Sequence, residues 1–292
     1  MSNKFPIPII GYASGIAAQI EGCKGGPDAF IQGQRYLQLQ QQSGQQFYLR
    51  SLFYPSTKKI SALEKVQIIC EDAAKDTAYL TKQAQRFVTL GGDHAYAVGT
   101  WSGVSVAKRQ EGAVGLLWID AHMDSHTFET SESGAIHGMP LAALLGEGDV
   151  KLTQILDTQP KLLPEYTALV GIRSFEHGEQ KNLEKLGVRI FYMDEILQRG
   201  LSVVMQEAFH IVSKAPAGYG ISIDLDALDP KDAPGVGSLE ENGIRLIELT
   251  QALKNITQLQ SPLALDIMEF NPELDKNHQT ENAIGDLMEA VF

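Results

Sequence analysis

The sequence predicts an α/β protein, a three-layer αβα sandwich around a mainly parallel, doubly wound central sheet. Three observations carry that expectation. Short β-rich runs alternate with helical patterns along the chain. Several of those runs are nearly continuous apolar segments, as strands covered on both faces must be. The polar clusters richest in chemistry come directly after strand-like runs, where an open α/β sheet places its ligands.

Taken in order, the expected strands are Ile7–Ile10, Phe47–Phe53, Arg86–Leu90, Val114–Ile119, Thr167–Gly171, Val188–Tyr192, Gly220–Ile223 and Leu263–Met268. The first clear helix is Ser61–Gln83, where Ser61 and Glu64 three residues later form a capping box. Further helices are expected at Ala95–Lys108, Gly138–Leu145, Gly178–Leu186, Leu201–Ser213, Arg245–Asn255 and Gln279–Val291. The Gln-rich patch Gln38–Gln46 reads as a short polar surface stretch or loop. The longest irregular stretches, Ser125–Ile136 and Asp229–Asn242, each follow a cluster of metal-ligand-type side chains. No repeat or long linker divides the chain, so one domain over residues 1–292 is expected.

At 292 residues the chain lies near the upper limit for one core, and its 43% hydrophobic content is enough to fill one. No apolar run reaches the roughly 18 to 20 residues that span a bilayer, so no membrane partner is expected. The first residues lack the apolar stretch of a signal peptide. Cys23 and Cys70 are too few for a disulfide framework, which makes a reducing cytoplasm the expected location. A net charge of −12 argues against nucleic acid as the main partner and suits a cationic substrate or metal ions.

The chemistry concentrates after four strand-like runs, at Gly91-Gly92-Asp93-His94, Asp120-Ala121-His122-Met123-Asp124, Asp224-Leu225-Asp226 and Glu269. In an extended chain, residues i, i+2 and i+4 share a face, so Asp120, His122 and Asp124 are expected to converge on one point. Six groups (His94, Asp120, His122, Asp124, Asp224, Asp226) then carry four negative charges, which two divalent cations would neutralise. Oxygen and nitrogen donors suit Mn²⁺, with Zn²⁺, Co²⁺ and Fe²⁺ also compatible, and the lack of a Cys donor argues against a structural zinc site. There is no Gly-Lys-Ser/Thr of a P-loop and no Gly-x-Ser-x-Gly of a serine hydrolase. His122 and His126 have metalloprotease spacing but follow a strand and lack the adjoining Glu, so that reading is rejected.

Together with His137-Gly138-Met139-Pro140 and Ser222-Ile223-Asp224-Leu225-Asp226-Ala227-Leu228-Asp229-Pro230, these motifs resemble the signature set of the arginase (ureohydrolase) family, in the family's order. Lys24-Gly25-Gly26-Pro27-Asp28-Ala29 resembles its N-terminal loop, and Leu265-Asp266-Ile267-Met268-Glu269-Phe270-Asn271-Pro272 its last strand, so the similarity covers nearly the whole chain. Within the family, His-Gly-Met-Pro and the following Leu-Ala look closer to bacterial-type arginases than to agmatinases or formimidoylglutamases. The resemblance implies two Mn²⁺ bridged by a hydroxide, the six residues above as ligands, and hydrolysis of L-arginine to L-ornithine and urea. It further implies that Glu269 holds the guanidinium, Asp124 relays a proton to the leaving amine, and His137 exchanges protons with solvent. A homo-oligomer, trimer or hexamer, is also implied.

The specificity loops depart from the animal-type pattern. His126 and Ala135 stand where Asn residues are expected, Ser133 is retained, Glu176 replaces an Asp near the α-amino group with Glu179 following, and Ser238 replaces a Thr. His126 can still donate to a carboxylate and Glu176 can still accept from an ammonium. His126, Ser133, Glu176, Glu179 and Ser238 are therefore the expected substrate contacts. Other readings are a ureohydrolase for agmatine, guanidinobutyrate or formimidoylglutamate, a single-zinc deacetylase of the same fold, and a metal-stabilised scaffold without activity. One metal would need neither His94 nor Asp226, which argues against the deacetylase.

Overall fold

The computed structural model describes residues 6–42 and 46–292. Eight strands build one sheet: β1 Ile7–Tyr12, β2 Phe47–Phe53, β3 Phe87–Leu90, β4 Gly115–Ile119, β5 Thr167–Ile172, β6 Arg189–Tyr192, β7 Tyr219–Asp224 and β8 Ala264–Met268. Their order is β2-β1-β3-β8-β7-β4-β5-β6, and every pairing between them is parallel. Each expected strand is present, β2 with the ends expected and the others with an end shifted by at most two residues.

The helices are α1 Gly26–Gln32, α2 Gln34–Gln42, α3 Ala62–Lys82, α4 Ala97–Lys108, α5 Pro140–Leu144, α6 Val150–Thr153, α7 His177–Leu186, α8 Met193–Arg199, α9 Leu201–Val212, α10 Leu246–Leu259 and α11 Gln279–Val291. The capping box at Ser61 and Glu64 opens α3 as expected. Four helices, α1, α2, α6 and α8, are additions to the sequence reading. The glutamine patch is corrected accordingly: residues 38–42 close α2, while 43–45 lie outside the described residues.

Strand side chains alternate between two cores. Leu117 and Ile119 of β4 face the core shared with α9, α10 and α11, whereas Leu116 and Trp118 face the core shared with α3 and α4. Helices therefore cover both faces of the sheet. Among the described residues, no helix is long and apolar enough to cross a membrane.

The strand order fixes the position of the site. The chain builds β3, passes on to β4, and only later inserts β7 and β8 between them. The four strands whose carboxyl ends carry the clusters, β3, β8, β7 and β4, thus lie side by side at the centre of the sheet.

Close packing sets the spacing between β7 and α4. A Cβ on Gly220 would fall 2.0 Å from the ring of Trp101, which is almost wholly buried. Gly220→Ala is expected to destabilise the fold by about 1–3 kcal/mol through overpacking. Calorimetry checks this, and an unchanged melting temperature would show that the ring moves aside freely.

Candidate active site

The cluster after β4 departs from the extended geometry expected for it. The strand stops at Ile119, a bend occupies Ala121–His122, and Asp124 adopts a left-handed φ of 49°. The three side chains consequently do not meet at one point. They divide between two donor groups, one of His94, Asp120, Asp124 and Asp224, all buried, the other of Asp120, His122 and Asp226, in which His122 is partly exposed.

Asp120 belongs to both groups through different oxygens. Its Oδ2 lies 3.2 Å from His94 Nδ1, and its Oδ1 lies 3.6 Å from His122 Nδ1. His94 Nδ1 is also 3.1 Å from Asp124 Oδ2 and 3.1 Å from Asp224 Oδ2. His122 Nδ1 is 3.1 Å from Asp226 Oδ2. A carboxylate shared in this way, with hard oxygen donors and one imidazole in each group, suits a pair of divalent cations.

Groups around the donors hold them in place. The Trp118 indole N–H donates to Asp120 Oδ2 at 2.8 Å, and its ring stacks on His94 at a centroid distance of 4.2 Å. Ser222 Oγ lies 3.0 Å from His94 Nε2. The His122 backbone N–H donates to Asp120 Oδ1 at 2.7 Å, and that of Asp226 to Asp224 Oδ1 at 2.9 Å. Glu240 Oε1 faces His122 Nε2 at 3.5 Å. The Glu240 carboxyl is held below the ordinary carboxylate range by His122, against the opposing effect of its partial burial.

Glu269 follows β8 at a left-handed φ of 67°. The His94 backbone N–H donates to its Oε1 at 3.0 Å, and His137 Nδ1 lies 3.1 Å from the same oxygen. The buried Cys23 thiol donates to Oε2 at 3.0 Å. Burial acts to lower the His137 imidazolium, yet Glu269 overrides it and raises the group to about 9. Burial, followed by the neighbouring Asp120, pushes Asp124 up to about 7. So many acidic groups out of water need counter-charge, from protons or from cations.

Beside the donors lies a cavity of about 300 Å³, lined by His122, Asp124, Asp224, Asp226 and Glu269. His126, Ser133, His137, Glu176, Glu179 and Ser238 line it too. His126 is mostly buried; its Nδ1 is 3.1 Å from Thr130 Oγ1, and its Nε2 is 3.4 Å from Glu176 Oε2. Glu179 is committed internally: its Oε1 accepts from the Glu176 N–H at 2.9 Å in the capping box of α7. Ser133 Oγ accepts from the Ala135 N–H at 3.2 Å. His177, His210 and His278 are exposed and lie outside this cavity.

Trp118, Ser222, Glu240 and Cys23 were not singled out from sequence as site residues. Trp118 and Ser222 sit two residues before ligand-type aspartates, on the same strand face, a signal that alternation alone could have supplied. Glu240 and Cys23 carry no such signal.

The family model described as the arginase family matches residues 5–292. An arginase from Bacillus caldovelox is 40% identical over 235 residues, which cover 80% of this chain and 78% of that protein. A solved arginase structure from Bacillus subtilis aligns with a TM-score of 0.91 at 31% identity, covering 99% of this chain and 98% of the other. The native Bacillus caldovelox arginase structure aligns with a TM-score of 0.90 at 32% identity, covering 98% of both chains.

Neutralising the buried carboxylates should stabilise the fold. Adding Mn²⁺ to chelator-treated protein is expected to raise its melting temperature, by the equivalent of about 2.7 kcal/mol at one hundred times the dissociation constant. A melting curve indifferent to Mn²⁺ would show that protons alone balance the cluster.

Proposed function

The chain belongs to the arginase family and is a hydrolase, and from that premise we propose that it converts L-arginine and water to L-ornithine and urea with two Mn²⁺ ions. The strongest support is the pair of donor groups joined through Asp120, beside a cavity that Glu269 also lines. On this reading His94, Asp120, Asp124 and Asp224 hold one ion, and Asp120, His122 and Asp226 hold the other. Co²⁺, Fe²⁺ and Zn²⁺ share the required donor chemistry. When bound, two such cations balance the four aspartates and make water a strong nucleophile near neutral pH.

The remaining work falls to the chain's own groups. Glu269, fixed by donors from His94, His137 and Cys23, keeps acceptor capacity to hold and orient the guanidinium. Asp124 lines the cavity and takes a proton at its carboxylate, then passes it to the departing amine nitrogen. His137, partly open to the cavity, exchanges protons with solvent. His126 and Ser133 donate to the substrate carboxylate, and Glu176 accepts from its ammonium. Glu179 supports that pair from behind, and Ser238 lies toward the guanidinium. The excess of acidic groups around the cavity favours a cationic guanidino substrate.

We further take residues 1–292 as one catalytic domain acting in arginine metabolism. The buried free thiols of Cys23 and Cys70 accord with a reducing cytoplasm. A homo-oligomer of three or six subunits follows from the family resemblance alone.

Urea release from arginine, agmatine and guanidinobutyrate in the presence of Mn²⁺ tests the substrate. The highest kcat/KM is expected for arginine, and a higher value for agmatine would reassign the enzyme to another ureohydrolase. Asp124→Ala should lower kcat by about 10²- to 10⁴-fold and reduce metal content; full activity would refute its assignment. His126→Ala should raise KM for arginine about tenfold, the loss of one charge-assisted hydrogen bond, with a smaller change in kcat. An unaltered KM would leave His126 without a part in binding.

A further inference from the structure

The imidazole of His122 has both nitrogens engaged. Nδ1 faces Asp226 Oδ2 at 3.1 Å and Asp120 Oδ1 at 3.6 Å, inside the second donor group. Nε2 faces Glu240 Oε1 at 3.5 Å, within ion-pair reach but longer than a direct hydrogen bond of good geometry. A neutral imidazole that gives its Nδ1 lone pair to a cation must carry its proton on Nε2, and an acceptor there fixes both tautomer and ring orientation.

The Glu240 backbone is tied down by Arg173, just beyond the end of β5. Its Nη2 donates to the Asp226 carbonyl at 2.6 Å and to the Glu240 carbonyl at 2.9 Å, while its Nε donates to the Glu241 carbonyl at 3.0 Å. The Arg173 backbone N–H donates to the Ala121 carbonyl at 2.9 Å, next to His122 itself. One residue therefore links the turn bearing His122, the turn bearing Asp226 and the loop bearing Glu240. That loop returns to its origin, since the Asp229 N–H donates to the Ile244 carbonyl and the Ile244 N–H to the Ala227 carbonyl, each at 2.9 Å. A Cβ on Gly243 would fall 2.7 Å from Arg173 Nη2, so the loop closes directly over the guanidinium.

We propose that Glu240, held in register by Arg173, is a positioning residue that orients His122 as a donor to the second cation. This rests on His122 being a ligand, as in the reading above. Glu240 lies outside both donor groups and acts through the imidazole, raising its basicity from the far side of the ring.

The test is Mn²⁺ titration of the metal-free protein, followed by calorimetry and by the electron paramagnetic resonance of free Mn²⁺. The proteins compared are wild type, Glu240→Ala, Glu240→Gln and, as a control, Glu241→Ala. Glu240→Ala is expected to weaken one of two Mn²⁺ sites about tenfold or more and leave the other within about twofold. Glu240→Gln keeps an acceptor oxygen and should lose less, and Glu241→Ala should bind like wild type. Circular dichroism of the metal-free variants checks that each remains folded. Wild type binding two ions while Glu240→Ala binds both with unchanged affinity would overturn the positioning role alone. Wild type binding no Mn²⁺ would instead overturn the ligand assignment, and this inference with it.

Discussion

The structure is organised around the need to collect like charges and keep them together. Asp120, Asp124, Asp224 and Asp226 are all buried within one site. Such a gathering is repulsive unless something positive sits among them. The parallel sheet makes the gathering possible because all its strands end on the same side. Inserting β8 and β7 between β3 and β4 puts four acidic or imidazole-bearing turns next to each other. Helices on both faces then exclude water, which strengthens every electrostatic term in the site.

Local backbone strain accompanies this arrangement. Asp124 and Glu269 both adopt left-handed conformations, which disfavour side chains by about 1–2 kcal/mol each. Both are held there by firm neighbours. The Asp124 carbonyl accepts from the Leu141 N–H at 2.9 Å, and the Glu269 N–H donates to the Gly92 carbonyl at 2.8 Å. Each turn thereby aims a carboxylate into the cavity that a regular strand continuation would have pointed elsewhere. Precise geometry comes from packing and hydrogen bonds around the donors, with Trp118, Ser222 and Arg173 as the main supports.

Much of this was legible in the sequence. The central strands announce themselves as short apolar runs, because a strand buried on both faces has little room for polar residues, whereas edge strand β2 is half exposed and carries Arg50 and Ser51. The helices that escaped notice have physical reasons. Gly26-Pro27 at the start of α1 reads as a turn, α2 is built mostly from glutamine, α6 has four residues, and α8 follows β6 with no intervening turn residue. The site clusters were visible as residue types at strand ends. The split into two donor groups was not, since it depends on a bend at Ala121–His122 that strand spacing cannot reveal. Glu240 and Cys23 were invisible for a related reason: each reaches the site only through tertiary folding of an irregular or short segment.

The late arrival of β7 and β8 has a consequence for how the protein is born. A nascent chain emerging from the ribosome can pair β1 with β2 and β3, and β5 with β4 and β6, yet these two halves have no common edge until residues 219–268 are available. Joining them requires contacts between distant parts of the chain, which form slowly. Until β7 and the turn after it have been made, Asp120 has neither Asp224 nor Asp226 beside it. A polypeptide that stops before β7 therefore lacks two of the six donors, one from each group.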